Sequence, residues 1–189
     1  MILSGIAKLA CGNAKGVDEF SGTPEGLGAS LAPLIALPLV DAIVSSVSGD
    51  WKMEVVSFLS SLCTVLVLPV LVYEFSRLFN RQEQWLKTST ALNWCHWLIL
   101  PAVWGTVTLI PVMTRLGLPV TYSGLASIAL AELYLLWNSW FILKSGLRIK
   151  GWRAALILLA CQFAMGILAS PVLVVVAAKL SGAGLGSPV

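Results

Sequence analysis

Charge is what this 189-residue chain has least of. Only 11% of its residues are Asp, Glu, Lys or Arg, whereas 58% are hydrophobic, and mean hydropathy is +0.89. A soluble domain carries about 25% charged residues. A water-soluble globule is therefore excluded, and with it a disordered chain and a nucleic-acid binder. Histidine is almost missing: His96 stands alone, too little for a His-rich metal centre. The four cysteines, at 11, 63, 95 and 161, form no CxxC pair. They read as reduced thiols packed like small apolar groups, not as a disulfide or metal framework. No HExxH, GxSxG or phosphate-cradling glycine loop occurs, so the motifs of the common hydrolases and nucleotide binders are lacking too. No cofactor is expected.

What the chain does have is long apolar runs. Five of them predict an all-α integral membrane bundle of five transmembrane helices, at 26–48, 53–73, 89–111, 119–143 and 152–178. Each is close to the roughly 20 residues that cross a bilayer. The runs are continuous, which excludes the alternating pattern of an outer-membrane barrel. Thr23-Pro24-Glu25 reads as the start of the first helix: a capping hydroxyl, a proline at the first helical position, and an acid at the positive end of the dipole. Residues 1–25 read as an arm with a short amphipathic helix, lying on the membrane surface or in the cytosol. No basic residue precedes the apolar part of that arm, unlike a signal peptide. Residues 179–189, rich in Gly and Ser, read as a flexible tail.

Basic residues set the expected orientation. The arm and the second and fourth loops hold Lys8, Lys15, Arg77, Arg81, Lys87, Lys144, Arg148, Lys150 and Arg153, while the other side holds Lys52, Arg115 and Lys179. Nine against three places the N-terminus in the cytoplasm and the C-terminus outside. With no targeting segment, a bacterial inner membrane is the expected location. The 74–88 loop reads as a helical extension of the second span, with Glu74–Arg77 and Glu83–Lys87 at favourable spacing.

Two groups of residues are candidates for function. The first is polar and intramembrane. Asp41 lies in the outer half of the first span and Glu132 near the middle of the fourth; charges there are costly and are by default functional hypotheses. His96, Gln162 and Asn93 are candidate partners for Glu132, and Lys52 or Arg115 for Asp41. The cluster reads first as interhelical hydrogen bonding that holds the bundle together, next as a solute or proton path, and last as a catalytic site. The catalytic reading is the poorest, because no serine stands in a recognisable nucleophile setting. The second group is a proposed cytoplasmic interface of Trp94, Trp97, Trp137 and Trp140 with Arg148 and Lys150. Six of eight tryptophans, counting Trp85 and Trp152, fall on that side. They read as an aromatic belt or as a surface for a lipid headgroup or a protein.

The block Glu83-Gln84-Trp85-Leu86-Lys87-Thr88-Ser89-Thr90-Ala91-Leu92-Asn93-Trp94 leads into the third span. Leu133-Tyr134-Leu135-Leu136-Trp137, Gly146-Leu147-Arg148 and Trp152-Arg153-Ala154-Ala155 follow. With five spans and an inside arm, this layout resembles the Yip (Ypt/Rab-interacting protein) family. The aspartate–leucine–tyrosine–glycine–proline motif of its eukaryotic members is absent. The resemblance implies a non-enzymatic membrane adaptor or organiser, acting on partners or anionic lipid. The alternative is a small-solute or ion transporter, proton-coupled through the Glu/His cluster. A homo-oligomer could supply a pathway at its interface.

Overall fold

A computed structural model describes residues 2–46 and 51–183, with the side chains at 46, 52–54 and 169–183 outside that description. The protein is an all-α bundle. Its elements are α1 (Ile2–Ala10), α2 (Pro24–Ser46), α3 (Trp51–Leu78), α4 (Trp85–Cys95), α5 (Ile99–Arg115), α6 (Val120–Gly146) and α7 (Gly151–Ala183). Five helical segments are long and apolar enough to cross a membrane: Pro24–Ser45, Val55–Leu78, Gln82–Arg115, Val120–Gly146 and Gly151–Leu168. The chain is thus a multi-pass membrane protein.

Local chemistry explains where helices begin and end. Gly26 N–H donates to Thr23 Oγ1 at 3.2 Å, so Thr23 caps α2 as its sequence predicts. Four helices close with one residue in the left-handed region, namely Gly12, Asn80, Gly117 and Arg148. In each case the following amide reaches back five residues: Asn13 to Lys8, Arg81 to Ser76, Leu118 to Met113 and Ile149 to Lys144. These are Schellman-type ends, which satisfy carbonyls the helix itself cannot. The end at Asn80 corrects the expected helical extension: α3 stops at Leu78, a short 3-10 turn spans Gln82–Gln84, and α4 begins at Trp85. Lys87 consequently pairs not with Glu83 but with Asp18 of the arm, at 2.9 Å.

The third span is interrupted. Residues His96–Leu98 form a 3-10 turn between α4 and α5. Pro101 is the cause, since it has no N–H for the Trp97 carbonyl and its ring presses on that carbonyl. The whole stretch Gln82–Arg115 has 34 residues, about 51 Å of helix at 1.5 Å each. That exceeds the roughly 30 Å hydrocarbon core, so the stretch is longer than one crossing needs.

The bundle has two unlike ends. Around α4 it is packed: Leu9, Val72, Ile142, Leu147, Ala154 and Ile157 are fully buried in one core. Towards the other end large apolar side chains stand exposed, among them Ile43 and Val44 of α2, Val103 and Trp104 of α5, and Tyr122 and Leu125 of α6. Exposed apolar surface of this extent is what lipid covers.

The arm belongs to the packed end. The short helix expected in the arm is α1, and it does not stand alone: α1 and the 3-10 turn Ala14–Glu19 pack against α4 and α6, with Leu9, Val17 and Phe20 in the core. Gly5 and Gly16 allow the approach, since a Cβ on Gly16 would stand 2.8 Å from the Gly5 carbonyl oxygen. Lys8 and Ser4 bond Glu19, and Tyr134 Oη donates to the Ala10 carbonyl at 3.0 Å. At the C-terminal end, α7 continues through residues 179–183, which were expected to be tail; residues 184–189 lie outside the described residues.

Two predictions follow from the packing. A Cβ on Gly146 would sit 2.5 Å from Thr88 Oγ1 and 2.9 Å from its Cγ2. Gly146→Ala should cost about 1–3 kcal/mol by overpacking. Gly105→Ala and Gly124→Ala meet nothing within 4 Å and should be neutral or gain up to ~1 kcal/mol of helix propensity. Denaturation in detergent ranks the three. The second concerns pH. The hydrogen bond and charge of Lys87 hold the Asp18 carboxyl below its usual range, and the Lys8 hydrogen bond does the same for Glu19. Lowered carboxyl pKa values favour the docked arm at pH above the ordinary value near 4, about the free-carboxylate range, and that help is lost as pH falls through the lowered values. Amide exchange over 12–20, corrected for intrinsic rate, should stay protected at pH 5–7 and lose protection towards pH ~3. Equal protection at both extremes would show that these ion pairs do not hold the arm.

Candidate functional site

Two open cavities adjoin inside the bundle. One, of about 380 Å³, lies between α2, α3, α4 and α7. The other, of about 210 Å³, lies between α3, α4, α6 and α7. They share Leu68, Leu92, His96 and Met165, so His96 stands at their junction, in the 3-10 turn where the third span breaks.

Helical spacing assembles the walls. On α6, Glu132, Leu135, Leu136, Ser139, Ile142 and Leu143 fall on one face, following the three-and-four residue repeat of a helix. Leu158, Cys161, Gln162 and Met165 do the same on α7. On α3 the repeat is polar: Ser57, Ser60, Ser61 and Thr64 line the larger cavity. Two of these hydroxyls are engaged, Ser60 Oγ donating to the Leu168 carbonyl at 2.8 Å and Thr64 Oγ1 to the Ser60 carbonyl at 2.9 Å.

The structure brings together most of the polar cluster anticipated from sequence. Glu132, His96 and Gln162 line the smaller cavity together with Asn138 and Ser139. Asn93 lines only the larger one. Its Nδ2 donates to Ser30 Oγ of α2 at 3.0 Å, and Ser30 Oγ donates on to the Leu27 carbonyl at 2.7 Å. Asn93 therefore ties α4 to α2 and is no partner of Glu132. Asp41 is exposed on α2 and lines neither cavity; the side chain of Lys52, one of its expected partners, lies outside the described residues.

Asn138 is the residue that sequence reasoning underrated. It is only 2% exposed, lines the smaller cavity, and its Oδ1 has no hydrogen-bond partner among the described residues. The sequence signal was an amide in the inner half of the fourth span, at the level of His96 and Gln162, inside the Trp137–Trp140 pair. The α3 hydroxyl stripe was missed as well, although its 57, 60, 61, 64 spacing is visible in the sequence.

The interface group does not form one free surface. Trp94 and Trp140 pack against the core. Trp140 Nε1 donates to the Gly151 carbonyl at 2.8 Å, and Lys144 lies 5.0 Å over its ring. Trp137 stacks on Phe141 at 5.7 Å and stands over Gly12 of the arm. Trp97 is half-buried, with Nε1 unpartnered among the described residues. Arg148 and Lys150 are exposed. The tryptophans hold helices and arm together, while the two cations remain outside. No three His, Cys, Asp or Glu side chains converge as a metal would need among the described residues.

A buried carbonyl without a donor costs about 1–3 kcal/mol. Asn138→Leu, of similar size, should therefore hold or raise the unfolding midpoint of the empty protein in detergent. A loss above about 1 kcal/mol would show that the amide is structurally satisfied. No protein-family model, curated protein or solved structure matches the chain.

Proposed function

We propose that the protein is a non-enzymatic multi-pass membrane protein that binds a small amphiphilic solute in the groove between α3, α4, α6 and α7. One observation carries this reading. Glu132, His96, Gln162 and Asn138 line an open cavity whose remaining walls are mainly Leu, Ile, Val and Met. Apolar walls with a few converging polar groups are the usual make-up of a ligand site. The break in the third span at His96 adds support, because carriers place solute sites at interrupted helices.

The protein sits, in this reading, in a bacterial inner membrane with the arm inside. The support is the cluster of nine basic positions at the end of the bundle where α2, α4 and α7 begin and α3 and α6 end. That same end gives a second reading its footing. Arg77, Arg81, Arg148 and Lys150 are exposed there, and basic residues beside a membrane attract anionic lipid at about 1 kcal/mol each. An adaptor that holds anionic lipid or a protein partner on this face, as the Yip-like layout implies, would use those cations and not the groove.

Native mass spectrometry of the protein extracted in mild detergent separates the two readings. The expected result is a small molecule retained at one per chain, diminished in Glu132→Gln and unchanged in the double variant Arg148→Gln, Lys150→Gln. A stoichiometric protein partner or enriched anionic lipid, lost in the double variant and with no solute retained, would overturn the binding-groove reading in favour of the adaptor.

A further inference from the structure

We infer that the groove selects a cationic amphiphile, a protonated primary or secondary amine on an apolar chain. This rests on the binding-groove reading and adds the chemical class of the occupant.

The polar groups of the smaller cavity are complementary to one kind of head. Glu132 is the only carboxyl side chain of the lining, His96 its only base, and no Lys or Arg lines either cavity among the described residues. A phosphate or carboxylate head would therefore meet an acid with no permanent cation beside it. An amine head can form an ion pair with the Glu132 carboxyl. Gln162 stands on the same lining, and its Oε1 can accept an ammonium proton, which a primary or secondary amine offers and a quaternary ammonium does not. The tail follows from Leu135, Leu136, Leu158 and Met165, which line the same cavity beside Glu132 and Gln162.

The test uses four probes of equal chain length at pH 7: octylamine, octyltrimethylammonium, octanol and octanoate. Binding to the full-length protein in detergent is read as ligand-dependent change in thermal unfolding and confirmed by native mass spectrometry. Octylamine is expected to bind at least tenfold more tightly than octanoate or octanol, and several-fold more tightly than octyltrimethylammonium. Glu132→Gln should remove at least tenfold of the octylamine affinity and leave octanol unchanged. Gln162→Leu should narrow the preference of amine over quaternary ammonium. Glu132 is exposed on α6, so its amide variant is expected to fold; the probe series on the unmodified protein tests the inference independently of either variant. Octanoate binding as well as octylamine would overturn the inference and leave the groove reading standing. So would an octylamine affinity that Glu132→Gln does not change. If none of the four binds, both fail.

Discussion

The close packing of α4 is the constraint on which the rest of the molecule depends. This one helix touches α1, α2, α3 and α6, and four neighbours can surround eleven residues only if the side chains between them are small. Thr88, Ser89, Thr90, Ala91 and Asn93 meet that need and are all buried. Small residues let backbones approach where lipid provides no hydrophobic drive between helices. Most of their polar atoms are satisfied nearby, Ser89 Oγ excepted among the described residues. Thr88 and Thr90 donate to carbonyls four residues back, at 2.8 Å each, and Asn93 reaches across to Ser30. The contact of Thr88 with Gly146 is the tightest consequence, because it leaves no room for even a methyl group at the end of α6.

The same helix explains why a groove exists. α4 lies in the packed end, and α5 turns away from the bundle after the 3-10 turn forced by Pro101. In α5 no residue is buried, and its principal contact is with α6. Space therefore opens beyond the last turn of α4, and the residues beside it are those next in sequence: Cys95, His96 and Ile99. A hydrogen-bonding group left over at such a place is costly to keep, as Asn138 Oδ1 is. Conflict between local satisfaction and the fold is most readily retained where a ligand resolves it.

Much of this architecture was legible in the sequence, for a physical reason. Apolar runs long enough to cross a bilayer have few other folded outcomes, so the five spans and the all-α class could be read directly. The start at Thr23 was legible because a cap depends on neighbours three residues away. Contacts between elements distant in sequence were not. The arm shows this best: an amphipathic pattern at Ile6 and Leu9 states that one face is to be covered, but not whether by lipid or by α4 and α6. Lys87 is similar. Its helical spacing from Glu83 was correct in number, yet the left-handed residue Asn80 broke the helix and Asp18 took the cation. Of the polar cluster, Glu132, His96 and Gln162 could be grouped because depth in the span is read from position. Asn93 and Asp41 share the membrane but not the face, and face depends on how helices are turned against each other.

That turning is fixed from outside the groove. Residues two apart on a helix point about 200° from one another. Glu132 and Tyr134 therefore look to nearly opposite sides of α6: Glu132 lines the groove, whereas Tyr134 donates to the arm at Ala10. Trp137 and Phe141 continue the arm-side row by three and four residues, and Leu136, Ser139 and Leu143 continue the groove-side row. A rotation of α6 about its axis cannot improve one row without displacing the other. The arm, with its ion pairs to Lys87 and within itself, sets the angle at which α6 presents its carboxylate. The docked N-terminus is thus part of what shapes the groove, even though none of its residues lines the smaller cavity.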